Sequence, residues 1–434
     1  MKILKITDLA FSKNFDRLLR RDLPSFKKIE KTVRDILENV RKRGDRALFA
    51  YTQKFDGWTP TSKTIEVSPR EIAQAFRRVG REAFRSLELA AKRIERFHRI
   101  QGDRFFHPWM IRKDGIRLGE IIRPIERVGI YVPGGLAAYP STVLMNTIPA
   151  RVAGVREIVM VSPAKDGLLN PYSLVAAQMA GVNRIFKVGG AQGIAALAFG
   201  TKSIPAVDKI VGPGNIYVAT AKKMVFGTVG IDMVAGPTEI VVVADDTANP
   251  AYVASDLLSQ AEHDPMAVPI LLSPSPRLIK SVLRELEKQI TSLPRREILK
   301  KALAGQGTCI LTKNTLEAIE LSNRIAPEHL SLQIRNPQKA LTRIHHAGAI
   351  FLGPYSPVAL GDYLAGPNHV LPTARSARFS SPLGVVDFLK RSSIIEASPQ
   401  ALKKLGPHVS RLARLESLTA HAASVDIRLS HGKR

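Results

Sequence analysis

Cysteine is almost missing: Cys309 is the only one in 434 residues. That excludes an intrachain disulfide framework and any Cys-rich metal site, and a reducing compartment suits such a chain. Cys309 stands in the β-like run Thr308-Cys309-Ile310-Leu311, where a thiol reads as a small buried hydrophobe rather than a nucleophile. Aromatic residues amount to 6%. There is no zinc-finger spacing, no RNA-recognition signature and no basic-aromatic interleaving, so the sequence argues against a nucleic-acid-binding protein. No apolar run reaches the roughly 20 residues that span a bilayer. The opening Met1-Lys2-Ile3-Leu4-Lys5-Ile6-Thr7-Asp8 lacks the apolar core of a signal peptide. The expectation is a cytoplasmic protein with no membrane partner. Acidic residues are scarce too, 38 against 64 Lys and Arg, for a formal charge of +26. The excess is peripheral: residues 1–130 hold 31 basic against 17 acidic residues, 131–375 hold 23 against 17, and the rest 10 against 4. A surface of this kind attracts phosphorylated cofactors as well as nucleic acid.

What is abundant is apolar sequence in regular order, 45% of the chain, enough for two major cores. Residues 1–119 read as a helical N-terminal arm and linker. Ile29, Val33, Ile36, Leu37 and Val40 form one apolar stripe, and Ile72, Phe76, Phe84, Leu87, Leu89, Ala90, Ile94 and Phe97 supply the buried positions of a second helical region. From about 120 the pattern becomes strand, Gly turn, helix. Strands are expected at 121–123, 127–132, 157–161, 184–188 and 209–211, with helices at 141–153, 171–180 and 216–226. A second unit spans 239–375, with strands at 240–244, 268–272, 308–311, 330–334 and 349–352 and helices at 249–264, 277–292, 315–325 and 337–346. Alternation of this kind implies two doubly wound, incomplete Rossmann-like α/β domains, 120–238 and 239–375, with ligands at the carboxyl ends of the strands. Residues 354–376 read as a long Gly/Pro-rich loop, and 376–434 as a helical C-terminal tail.

Two local patterns carry chemistry. Leu257-Leu258-Ser259-Gln260-Ala261-Glu262-His263-Asp264-Pro265 closes an apolar helix. Gln260 and His263 lie three apart, so an oxygen and an imidazole nitrogen can converge on one metal ion. Glu328-His329, between a helix and a strand, pairs the commonest acid-base residue types. His369 and His421 also stand beside polar or acidic residues, and two His, a carboxylate and a neutral oxygen make a zinc set. The turns Pro133-Gly134-Gly135, Gly189-Gly190-Ala191-Gln192-Gly193 and Gly212-Pro213-Gly214-Asn215 would let a pyrophosphate approach backbone N–H groups. The strict G-x-G-x-x-G fingerprint is missing, so these glycines equally fit plain tight turns.

Seven ordered motifs resemble the histidinol dehydrogenase family. They are Tyr131-Val132-Pro133-Gly134-Gly135, Tyr139-Pro140-Ser141-Thr142-Val143-Leu144-Met145, Lys187-Val188-Gly189-Gly190-Ala191-Gln192, Val211-Gly212-Pro213-Gly214-Asn215, Leu258-Ser259-Gln260-Ala261-Glu262-His263, Ala326-Pro327-Glu328-His329-Leu330 and Gly361-Asp362-Tyr363. Glu416 and His421 extend the likeness into the tail. The resemblance implies a zinc enzyme, one Zn2+ per subunit, that uses NAD to oxidise L-histidinol through the aldehyde to L-histidine. It implies zinc on Gln260, His263, Asp362 and His421, with His421 supplied by the partner chain of a homodimer. NAD would contact Tyr131, Gln192 and Asn215. Substrate would contact Thr238, Gln260, His263, His329, Asp362, His369, Glu416 and His421, with Glu328 and His329 the acid-base pair.

Three positions depart from the family pattern: Thr238 where Ser is common, Ser417 where Gly is usual, and Gly193 where Ala is usual. The alternatives are a zinc- and NAD-dependent dehydrogenase for another small polar alcohol, a zinc hydrolase indifferent to nicotinamide, and a basic nucleic-acid-binding protein.

Overall fold

The computed structural model describes residues 1–20, 27–105, 107–134 and 139–431; Gly135, at the end of the first Gly turn, lies outside them. Two parallel sheets organise the chain. The first holds five strands in the spatial order Arg184–Lys187, Glu157–Ser162, Arg127–Tyr131, Lys209–Val211, Gly230–Ile231. The second holds six, in the order Lys2–Lys5, Thr308–Leu311, Val268–Ser273, Glu239–Ala244, His329–Gln333, Ala349–Leu352. In each, the first strand of the unit lies centrally and the chain winds outward one way and then the other, as in half of a doubly wound nucleotide-binding fold.

Side-chain alternation explains why both faces are covered. In the first sheet Ile158 and Met160 point into a core shared with the helices Pro140–Ala153 and Pro171–Ala180, while Val159 and Val161 point into a core with Lys27–Arg43 and Gly190–Phe199. In the second sheet Ile240, Val242 and Ala244 meet the helix Pro250–Ala261, while Val241 and Val243 meet Thr315–Ile325. Strands buried on both faces are continuous apolar runs, as in Glu239–Ala244, where all six residues are buried.

The structure departs from the sequence reading in several places. The arm is not wholly helical: Lys2–Lys5 is a strand at the edge of the second sheet, pairing Ile3 with Cys309. A third sheet, antiparallel, joins Trp109–Lys113, Ile116–Pro124 and Leu389–Ala397, so strand stands at 389–397 where a helical tail was expected. Leu389–Ala397 is largely exposed and so carries no alternation that would betray a strand; its pairing partners are more than 250 residues away. The helix Arg296–Gly305 was not anticipated, and the 354–376 loop contains the short helix Val358–Tyr363. The tail is two helices, Pro399–Leu415 and Thr419–His431, broken where Ser417 takes φ +60°. Among the described residues no helix is long and apolar enough to cross a membrane.

Candidate functional site

The second sheet brings its chemistry to its amino ends, not to the carboxyl ends expected. The reason is local. Ala326, in the left-handed region at φ 49°, ends the helix Thr315–Ile325, and its N–H donates to the Ser322 carbonyl. Pro327 then sends Glu328 and His329 into the start of their strand. Parallel pairing of His329 with Ile240 sets Glu239 beside Glu328. The Glu239 N–H donates to Glu328 Oε2 at 2.8 Å, and the Thr238 hydroxyl donates to the same oxygen at 2.6 Å. His329 Nδ1 lies 3.0 Å from the Glu239 carbonyl oxygen. A carbonyl only accepts, so Nδ1 carries hydrogen and Nε2 is the ring atom left to exchange a proton. His329 Nε2 is buried with no hydrogen-bond partner, 3.8 Å from Asp362 Oδ1.

Gln260 ends the helix Pro250–Ala261 and is 2% exposed. Its amide nitrogen donates to the Thr238 hydroxyl oxygen, and its Oε1 is buried without a partner. The helix stops sooner than the sequence suggested, so exposed His263 occupies a turn beyond it, its N–H donating to the Gln260 carbonyl at 3.3 Å. Asp362 stands near the end of Val358–Tyr363. His369 Nδ1 donates to the Asp362 carbonyl at 2.9 Å, leaving Nε2 to face the Thr142 hydroxyl at 3.5 Å. Thr142 belongs to the first unit, so the cluster lies at the junction of the two.

Charge follows from this crowding. Burial opposes charging His329, but the Glu328 and Asp362 carboxylates outweigh it and carry the imidazole up to about 9. Burial would raise Asp362, yet His329, His369 and His263 hold its carboxyl below the usual carboxylate range. Burial keeps His369 below the ordinary histidine value in spite of Asp362. Cys309 is remote from this chemistry: buried, with its thiol pushed up to about 12 by desolvation.

At the carboxyl ends of the first sheet the Gly turns are held by residues that local spacing did not reveal. The Gly189 N–H donates to Asp56 at 3.2 Å and the Gly190 N–H to the Tyr131 hydroxyl at 3.1 Å. Burial lifts Asp56 to about 6 and Tyr131 to about 12. Gln192, 1% exposed, has a buried amide nitrogen with no partner. Gly212 sits at φ +110°, where a Cβ would fall 2.2 Å from the Tyr131 carbonyl oxygen, so only glycine fits. Its N–H donates to Asp232 at 2.8 Å, and Lys222, paired with Asp232, donates to its carbonyl at 2.8 Å. Asn215 is exposed and caps the helix Ile216–Val225 through Tyr217 N and Val218 N. One signal for Lys222 was available: it is a lysine in a helix otherwise rich in Val and Ala. Asp56 offered none.

The structure thus gathers Thr238, Gln260, Glu328, His329, Asp362 and His369, with His263 at the edge. It does not bring in Glu416 or His421. Both are exposed, Glu416 in the turn between the two tail helices and His421 on the second, and no hydrogen bond or ion pair among the described residues ties them to the cluster. Among the described residues no group of three or more His, Cys, Asp or Glu could hold a metal ion by itself.

A family model described as histidinol dehydrogenase matches residues 19–429. A histidinol dehydrogenase of Geobacter metallireducens is 51% identical over 431 residues, 99% of this chain and 98% of the relative. One of Aquifex aeolicus is 50% identical over 425 residues, 98% of each. The crystal structure of histidinol dehydrogenase from Elizabethkingia anophelis superposes with a TM-score of 0.93 at 38% identity, covering 100% of this chain and 99% of that one.

Proposed function

The chain belongs to the histidinol dehydrogenase family, and from that premise we propose that it oxidises L-histidinol through L-histidinal to L-histidine, using NAD and one zinc ion per subunit. The observation that carries the chemistry is the Thr238-Glu239 segment, which holds Glu328 by a hydroxyl and an N–H and holds His329 by a carbonyl. Two buried groups of different function are thereby registered against each other.

The donors fit a zinc ion in chemistry and in number once a fourth is supplied. Gln260 Oε1 is an orphaned buried acceptor, Asp362 is held as a carboxylate, and His263 lies in the turn just past Gln260. The fourth donor, His421, would come from a second copy, as would the substrate-facing Glu416. The exposed apolar residues Ile395, Leu412 and Leu415 around that tail support a homodimer. Zinc would act as a Lewis-acid anchor for the substrate's imidazole and amine, and NAD as the hydride acceptor.

The chain's own residues do the proton work. The Glu328 and Asp362 carboxylates hold the His329 ring charged; a zinc ion on Asp362 would favour the neutral ring, and in that form His329 takes the alcohol proton at Nε2 as hydride leaves. Glu328, one oxygen held by Thr238 and Glu239, uses its other to draw a proton from water attacking the aldehyde. Hydride then leaves the hydrate. With its thiol buried and protonated, Cys309 has no part, which removes a thiohemiacetal route. The dinucleotide would contact Tyr131, Gln192 and Asn215, of which Gln192 offers a buried donor awaiting a partner. The two parallel sheets support a division into two units; in our reading 120–238 is the NAD side and 239–375 the zinc and substrate side, and the setting is cytoplasmic.

The test is NADH formed per L-histidinol consumed, on zinc-loaded and chelator-stripped protein. Two NADH per substrate, lost on stripping and restored by zinc, is the expected result. One per substrate would mean an oxidation that stops at the aldehyde; none would shift the substrate to another small polar alcohol.

A further inference from the structure

Thr238 stands between a proposed metal ligand and the proposed base, and its single hydroxyl hydrogen decides how both are arranged. Its Oγ1 lies 2.6 Å from Glu328 Oε2 and within hydrogen-bond reach of the Gln260 amide. Glu328 Oε2 also takes the Glu239 N–H at 2.8 Å. An ionised carboxylate only accepts, so the Thr238 hydrogen goes to Glu328. What Oγ1 then offers Gln260 is a lone pair, and the end of the amide that can face it is the NH2. Amide oxygen and nitrogen differ little in shape, so it is this donor-acceptor logic that assigns the orientation. With the NH2 turned to Thr238, Oε1 points the other way, where it is buried and without a partner.

We propose that Thr238 is a positioning residue: by donating to Glu328 it orients the Gln260 amide with its oxygen toward the metal site, and the same hydroxyl leaves one Glu328 oxygen free for water. The inference rests on the zinc reading above and adds to it a role for Thr238 that is independent of substrate contact. The alternative amide orientation would set the Gln260 oxygen against the Thr238 lone pairs and turn the NH2 toward the cation. The hydroxyl therefore excludes the orientation in which Gln260 cannot be a ligand. Side chains of this kind, one bond out from the metal, change metal affinity on the order of 10–100-fold when removed.

The test compares full-length wild type with Thr238→Val, Thr238→Ala and Thr238→Ser. Zinc affinity is read by competition with a chromophoric chelator, without substrate or NAD, and the fold is checked by circular dichroism and gel filtration. Val keeps the shape and loses the hydroxyl; Ala serves if Val does not fold; Ser keeps the hydroxyl and loses the methyl. The expected result is affinity lowered on the order of 10–100-fold in Val and Ala, with Ser about as tight as wild type. Unchanged affinity in folded Val or Ala protein would overturn the proposal. So would equal losses in Ser and Val, which would point to packing of the methyl group. A wild-type protein that takes up no zinc would instead defeat the zinc reading itself, and Thr238's role toward a metal with it.

Discussion

Asp256 offers a stability experiment whose sign the structure dictates. It lies one helical turn before Gln260, 6% exposed, and accepts hydrogen bonds from Gln333 Nε2 at 2.7 Å and Ser331 Oγ at 3.4 Å. Both donors are neutral, and desolvation dominates, lifting the carboxyl from 3.8 to about 6. Between those two values the folded protein keeps a proton that the unfolded chain has lost. The native state then binds more protons, so stability falls as pH rises through the window and the loss is complete above about 6. A shift of that size corresponds to about 3 kcal/mol at pH 8, and roughly half of it by pH 5. Asp256→Asn removes the titration. Its amide would also complete a reciprocal pair with Gln333, accepting from Nε2 and donating to Gln333 Oε1, which is buried without a partner. The variant is therefore expected to be more stable than wild type by about 1–3 kcal/mol at pH 8, with the advantage shrinking toward pH 5. Urea unfolding of chelator-treated protein at several pH values measures this. Destabilisation at pH 8, or a difference that does not change with pH, would refute the argument.

Five further expectations follow from the same structure. Ser417→Gly relieves a left-handed backbone at φ +60° and should stabilise by about 1 kcal/mol, whereas Gly193→Ala, whose Cβ would meet nothing closer than 3.4 Å inside a helix, should gain about 0.5–1 kcal/mol; a loss in thermal unfolding at either site would contradict its reading. Lys222→Met leaves buried Asp232 without its cation and the Gly212 turn without a clamp, so it should cost about 3–5 kcal/mol, and a near-neutral unfolding midpoint would show that the pair is dispensable. Glu328→Gln should slow oxidation of the aldehyde more than that of the alcohol in single-turnover assays, because only the former needs an activated water; equal losses would remove the base role. Mixing inactive His421→Asn with inactive Glu328→Gln protein should restore part of the activity if His421 serves a neighbour's site, and verified heterodimers that stay inactive would place the site within one chain.

Much of this protein was determined by residue order alone. Apolar runs separated by Gly turns and amphipathic stripes set the two α/β units, since strands buried on both faces and helices buried on one have distinct periods. The strand Thr308–Leu311 and the helices Pro171–Ala180 and Thr315–Ile325 fall where those periods place them. Glu328-His329 and Gln260 were legible as well, being chemical groups at the ends of regular elements. What only the tertiary structure decided depends on contacts between distant parts of the chain. The strand Leu389–Ala397 exists because Ile116–Pro124 pairs with it, and its exposed side chains leave no period to read. Asp56 reaches Gly189 across 133 positions. The Glu328-His329 cluster occupies the amino ends of the second sheet because parallel register sets Glu239 beside Glu328. Above all, the direction of the Gln260 amide follows from where one threonine hydrogen goes, and hydrogen-bond direction is a property of neighbours in space, not of neighbours in sequence.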